Sequence, residues 1–157
     1  MRKHLEIERR FIVRSLPTGW QRRWGSRIGQ GYFSLRDPEL EIRLRHKGRG
    51  HFITIKCGHG RSRLEEEIPI PRESFEALWP LTRGARISKT RYRIPHQNRI
   101  IEMDVYSGLH RGLLTADVEF DSKGESGRFR PPDWLGREIT GDPRYTNRTL
   151  ARRVRRA

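Results

Sequence analysis

Charged residues of like sign recur two positions apart along this chain, and that spacing limits what it can fold into. In an extended strand, residues i and i+2 share a face and their neighbours take the other. In Leu5-Glu6-Ile7-Glu8-Arg9-Arg10-Phe11-Ile12-Val13, Glu6, Glu8 and Arg10 fall on one side, and Leu5, Ile7, Phe11 and Val13 on the other. Acidic pairs repeat the spacing at Glu65/Glu67, Glu102/Asp104 and Asp117/Glu119, and basic pairs at Arg43/Arg45 and Lys89/Arg91. Two carboxylates so placed lie about 7 Å apart, two strand rises, and repel each other unless a cation lies near them. The opposite faces are apolar: Ile101, Met103 and Val105 in one stretch, Ala116, Val118 and Phe120 in another.

Seven stretches carry this alternation: residues 5–13, 41–45, 51–56, 64–70, 87–94, 99–106 and 116–121. A further strand, without it, is expected at residues 30–35, closed by Asp37-Pro38. Lys47-Gly48-Arg49-Gly50 is a hairpin signal between two of them. Residues 71–79 read as a short amphipathic helix with Phe75, Leu78 and Trp79 on one side, and residues 146–155 as a basic helix with Leu150 and Val154 one turn apart. The stretch from Asp121 to that helix, with Pro131-Pro132 and Gly141-Asp142-Pro143, reads as ordered loop. With no repeat, linker or low-complexity tract, residues 1–157 are expected to form a single domain.

Composition narrows the partners. A formal net charge of +15 directs the chain to polyanions: nucleic acid, an anionic surface or phosphorylated small molecules. Charged residues make up 34% of the chain, yet the regular return of apolar side chains excludes disorder. One cysteine, Cys57, allows no internal disulfide and fits a reducing compartment. No stretch has the length of a signal peptide's apolar core or of a membrane span, so a soluble cytoplasmic protein is expected. The six histidines lack zinc-site spacing, and the loop at residues 58–63 lacks the Gly-Lys-Ser/Thr end of a Walker motif. That loop is read as a hairpin connection at the mouth of a cavity.

An alternating strand commonly turns its polar face to water. Here the like-charged pairing, with few Thr, Ser or Gln among the charges, argues for a sheet curled with its charged face inward. Unpaired buried charges cost several kcal/mol each, so such an interior must hold water, ions and a charged ligand. Paired carboxylates suit hard divalent cations, which bind through one or two carboxylates plus substrate phosphates. Paired Arg and Lys suit the phosphates themselves. Together they describe phosphoryl-transfer chemistry, where positioning and charge neutralisation do most of the catalysis.

The ordered set Glu6-Ile7-Glu8-Arg9-Arg10, Arg43-Leu44-Arg45, Thr54-Ile55-Lys56, Glu65-Glu66-Glu67, Lys89-Thr90-Arg91-Tyr92, Glu102-Met103-Asp104 and Asp117-Val118-Glu119 resembles the CYTH superfamily, the triphosphate tunnel metalloenzymes. The likeness extends through Glu138-Ile139-Thr140-Gly141-Asp142-Pro143-Arg144-Tyr145-Thr146-Asn147 to the tail of the small bacterial members. It implies an α+β, mainly β fold: an eight-stranded antiparallel closed barrel with a charged interior and flanking helices. It further implies hydrolysis of inorganic tripolyphosphate. Glu6, Glu8, Asp104, Asp117 and Glu119 would hold Mg²⁺ or Mn²⁺, and Arg10, Arg43, Arg45, Lys56, Lys89 and Arg91 would grip phosphates. Glu65, Glu67 and Glu102 would support them, and Tyr32, in its Gln-Gly-Tyr context, would pair with Arg10 near the reacting group.

Two residues depart from the family pattern. Arg10 stands where the family has Lys, and an Arg keeps the clamp's charge but does not give up its proton. Asp117 stands in place of Glu and reaches one methylene less far. Alternatives within the fold are a thiamine triphosphatase, another organic triphosphate as substrate, or a CYTH-type adenylyl cyclase. Outside it stands a non-catalytic polyphosphate or RNA binder, which the net charge and the basic tail favour. Nucleic acid is not the preferred partner, no membrane association is expected, and a monomer or homodimer fits equally.

Overall fold

The computed structural model describes residues 7–58 and 64–152. Within them, nine strands hydrogen-bond into one antiparallel sheet: β1 (Ile7–Val13), β2 (Gly25–Tyr32), β3 (Leu40–Lys47), β4 (Gly50–Cys57), β5 (Leu64–Pro69), β6 (Arg86–His96), β7 (Arg99–Tyr106), β8 (Leu114–Phe120) and β9 (Leu135–Glu138). Their spatial order is β5-β4-β3-β2-β6-β7-β8-β1-β9. Three helices accompany them: α1 (Arg72–Leu78), α2 (Lys123–Arg128) and α3 (Asn147–Arg152). The β3–β4 hairpin turns where the sequence marks it, with Gly48 at φ 56° in the left-handed region.

The closed eight-stranded barrel expected from the sequence does not form. Among the described residues the sheet runs open from β5 at one edge to β9 at the other. The reason is local. β9 takes the free edge of β1, setting Phe11 opposite Glu138 and Val13 opposite Leu135, so β5 finds no strand there to close on. β5 itself is exposed along its whole length and ends in Pro69 after three Glu, features that blunt an edge. Side chains from β1, β3, β4, β5, β6 and β8 nonetheless line one cavity, so the sheet is rolled into a trough.

Two further expectations are corrected. The strand expected at residues 30–35 runs from Gly25 to Tyr32, because pairing with β3 on one side and β6 on the other overrides its weak propensity. Its glycines leave room for neighbours: a side chain at Gly29 would meet the His46 ring, and one at Gly31 would meet Thr82 and Trp79. The stretch read as loop after Asp121 contains α2 and β9. The basic helix appears as α3, Asn147–Arg152, and its expected continuation lies outside the described residues, as does most of the 58–63 loop.

The main apolar core lies behind the trough. Phe11, Val13, Ile101, Met103, Ala116, Val118 and Phe120 point outward from β1, β7 and β8 and are covered by Phe129 and Leu135 from the α2–β9 segment. Phe129 lies 5.3 Å from Phe120 and 6.3 Å from Phe11, centroid to centroid. A second cluster, Tyr32, Ile87, Tyr106, Leu150 and Ala151, lies on the inner side, where α3 packs against β2 and β6. Met103 is fully buried in the outer core. Met103→Ala is expected to lower the unfolding free energy by about 2–5 kcal/mol, read from urea denaturation with an unchanged slope.

Candidate active site

Strand register decides which charges meet. The β1–β8 ladder sets Arg10 opposite Asp117 and Glu8 opposite Glu119. The β6–β7 ladder sets Arg91 opposite Asp104 and Arg93 opposite Glu102, and the β4–β5 ladder sets Lys56 opposite Glu65 and Thr54 opposite Glu67. Directly opposed residues share a face, so these side chains project into the trough. Of these, Glu8, Arg10, Lys56, Glu65, Glu67, Arg91, Asp117 and Glu119 line a cavity of about 520 Å³, whereas Thr54, Arg93, Glu102 and Asp104 do not.

One wall of that cavity is internally neutralised. Asp104, with no exposed surface, accepts from Lys89 Nζ at 2.6 Å and from Arg91 Nε and Nη2 at 2.7 and 2.8 Å. Burial pushes the Asp104 carboxyl up, but Lys89 and Arg91 outweigh it and hold the group down at about 2. Arg91 also donates to Glu102 at 3.2 Å. Arg10 grips Asp117 with both arms of its fork, Nε to Oδ1 at 2.6 Å and Nη2 to Oδ2 at 2.9 Å. Despite desolvation, these bonds raise both guanidinium pKa values, so the two arginines stay charged.

The other wall carries an excess of positive charge. Lys56 pairs with Glu65 at 3.1 Å and Arg45 with Glu67 at 3.4 Å, while Arg43 reaches Glu65 only at 4.0 Å. Among the described residues, the buried Nε atoms of Arg43 and Arg45 have no hydrogen-bond partner, nor has Oε1 of Gln30. Burial depresses the Arg45 pKa, and Arg43 and Arg91 depress it further. Buried donors without acceptors are rare and costly. The outer nitrogens of the two guanidinium groups line the cavity, where an anion would take up the charge that Glu65 and Glu67 leave over.

Glu8 and Glu119 lie across that space, on neighbouring strands. Desolvation raises the Glu8 carboxyl to about 7, with Asp117 and Glu119 adding to the rise and Arg10 and Arg91 opposing it. A carboxyl crowded by carboxylates is stabilised by a cation between them, and an all-oxygen donor set suits Mg²⁺ or Mn²⁺. Among the described residues no three acidic, His or Cys side chains converge as a ready-made metal site. Glu8 and Glu119 alone would leave most of a divalent cation's shell to other oxygens, water included. Glu6 lies outside the described residues.

Tyr32 is buried and lines a second, adjoining cavity of about 460 Å³ that shares Glu8, Arg10, Arg43 and Lys56 with the first. Its hydroxyl pKa is raised by desolvation against the lowering effect of Arg43, so it is a neutral donor at pH 7. Sequence reading missed Gln30 and Asn147 as cavity-lining residues. Gln30 was within reach, since it precedes Tyr32 by two on one strand; Asn147 opens a helix whose place the alternation cannot give.

A mainly β trough with an under-neutralised arginine wall facing a carboxylate pair defines a protein built to enclose a phosphorylated anion. No family model matches the chain. It is 42% identical over 148 residues to an inorganic triphosphatase of Nitrosomonas europaea, covering 93% of this chain and 96% of that one. It is 37% identical over 154 residues to an inorganic triphosphatase of Acetivibrio thermocellus, covering 94% and 93%. A crystal structure of an inorganic triphosphatase superposes with a TM-score of 0.76 at 38% identity, covering 95% of each chain. A putative adenylate cyclase from Bacillus halodurans, at 18% identity and a TM-score of 0.57 over 78% of this chain and 84% of that one, shares the fold. The chain belongs to the family of these inorganic triphosphatases, as the resemblance to the small bacterial members seen in the sequence implied.

The raised Glu8 pKa carries a sign. A carboxyl that holds its proton more tightly when folded makes the native state lose stability as pH rises from about 4.5 to about 7. Without divalent ions, the Tm of the native chain is therefore expected to fall over that interval more than that of Glu8→Gln. Mg²⁺ added at pH 8 should raise the native Tm and leave the variant's nearly unmoved.

Proposed function

We infer that this chain hydrolyses inorganic tripolyphosphate to pyrophosphate and phosphate. The observation that carries the reading is the cavity's unequal charge: Arg43, Arg45 and Lys56 on one side have only Glu65 and Glu67 to pair with, while the cations on the other are already paired. A linear triphosphate supplies a row of anionic oxygens to the first group and leaves the second undisturbed. The names of the relatives support the same substrate.

Arg43 and Arg45, two apart on β3, are placed to hold successive phosphates, with Lys56 on the next strand. Glu65 and Glu67 offset part of that charge, so that the wall keeps its geometry when no anion is present. Tyr32, neutral and buried beside Arg43, can donate to a phosphate oxygen but has no capacity as a base near pH 7. Glu8 and Glu119 would hold a divalent cation, Mg²⁺ or Mn²⁺, while Asp104 and Asp117 support the site from behind through Lys89, Arg91 and Arg10. What such a cation supplies when bound is neutralisation of phosphate charge and a more acidic water. The buried setting strengthens each of these interactions over its value in water.

Phosphate release from tripolyphosphate is expected with Mg²⁺ or Mn²⁺ and is expected to vanish in EDTA. Glu8→Gln should lower kcat by on the order of a hundredfold or more. Arg45→Ala should act mainly on KM, raising it about tenfold, one charge-assisted contact's worth. A folded protein that binds tripolyphosphate equally in EDTA and releases no phosphate with either metal would make it a binding module, and this reading would be wrong.

A further inference from the structure

Arg10 makes bonds unlike those of a phosphate clamp, because they tie a distant segment of the chain to β1. Three of the five N–H groups of a guanidinium are occupied here. Two go to Asp117, at 2.6 and 2.9 Å, and Nη1 donates to the carbonyl of Tyr145 at 2.9 Å. Its backbone is tied to the same region: Arg10 N–H donates to Thr140 Oγ1 at 2.9 Å, and its carbonyl accepts from the Ile139 N–H at 2.8 Å. Residues 139–145 thus form a strap fastened to one residue of β1. The strap folds on itself through Asp142 N–H to the Ile139 carbonyl at 3.0 Å and Tyr145 N–H to the Asp142 carbonyl at 3.1 Å. Ile139, Thr140, Gly141, Asp142 and Tyr145 form a wall of the second cavity, with Arg10 at its junction with the first.

The partner is as constrained as Arg10. Asp117 is buried, both of its oxygens face the Arg10 fork, and Arg91 adds a contact at 3.4 Å. Arg10 and Asp117 stand directly opposite each other in the β1–β8 register. Arg10 thus spends three of its five N–H groups, Nε among them, on native partners without any ligand, whereas the Nε atoms of Arg43 and Arg45 have none.

We propose that Arg10 is a positioning residue: with Asp117 it braces the 139–145 strap against the wall of the trough, fixing the second cavity's shape, while the phosphate grip belongs to Arg43, Arg45 and Lys56. This revises the clamp role implied by the sequence resemblance. It relies on the proposed triphosphatase reading only for its activity readout. A Lys at this position cannot supply the fork, and a Glu at 117 restores the reach that Lys lacks, so the pair is exchangeable as a unit.

The test uses the full chain with Arg10→Lys, Asp117→Glu and the double variant. Arg10→Lys is expected to lower kcat on tripolyphosphate about tenfold or more with KM changed less than about twofold, as displacement of a supporting element does. The double variant is expected to recover most of that loss, giving a coupling that two independent sites would not show. Independently of activity, amide exchange at Asp142 and Tyr145 should accelerate about tenfold in Arg10→Lys, without recovery on adding tripolyphosphate. A rise in KM of tenfold with kcat and exchange unchanged would overturn the proposal in favour of a clamp, as would additive effects in the double variant. Should Arg10→Lys not fold, Asp117→Asn cuts the brace from its other end and is read by the same exchange measurement. If the native chain releases no phosphate, the function reading fails while the exchange result still decides the brace.

Discussion

Like charges two apart on a strand cannot be buried unless the neighbouring strand brings their opposites into register. That requirement governs this structure. A slip of one residue in the β1–β8 ladder would turn Asp117 and Glu119 outward and Ala116 and Val118 inward. It would leave Arg10 buried without a partner, at a cost of several kcal/mol, and expose the outer core as well. The charged interior and the apolar exterior thus specify the same pairing, and agreement between the two is what gives the sheet a unique register. Lys89, Arg91 and Asp104 show the outcome, a triad joined by contacts of 2.6–2.8 Å.

Neutralisation stops short of completion, and function begins there. β5 contributes Glu65 and Glu67 from an exposed edge strand, where their contacts with Lys56 and Arg45 are longer and wetter than those of the triad. Exposed pairs contribute little to stability. They leave the β3–β4 wall with Arg43, Arg45 and Lys56 set against two carboxylates, Glu65 and Glu67. On the proposed reading, donors held in place before any substrate arrives spare reorganisation when charge develops.

Much of this was legible in the sequence, because a period of two is a local signal. It gave the inward face of β1, β3, β4, β6 and β8 and brought Glu8, Arg10, Arg43, Arg45, Lys56, Lys89, Arg91, Asp117 and Glu119 to one cavity, while Asp104, expected beside them, lies behind Lys89 and Arg91. It could not give closure, which depends on β9: four residues after a Pro-Pro step carry no readable pattern, yet they occupy the edge of β1 that a closed barrel needs. It could not give β2, whose place is set by partners on both sides and by glycines that admit His46 and Trp79. Nor could it divide the cations into those already paired and those waiting for a ligand. Arg10 and Arg43 look alike along the chain, and only the three-dimensional inventory of donors separates them.

The central claim, that the β3–β4 wall is the phosphate-binding surface because its donors lack acceptors, is tested most directly by calorimetric titration of tripolyphosphate in EDTA, at fixed ionic strength, into the native chain and into Arg43→Gln/Arg45→Gln. Removing two charge-assisted contacts should weaken binding by on the order of a hundredfold or more, with the folded far-ultraviolet spectrum unchanged. Equal affinity in the two proteins would contradict the account and move the binding surface elsewhere.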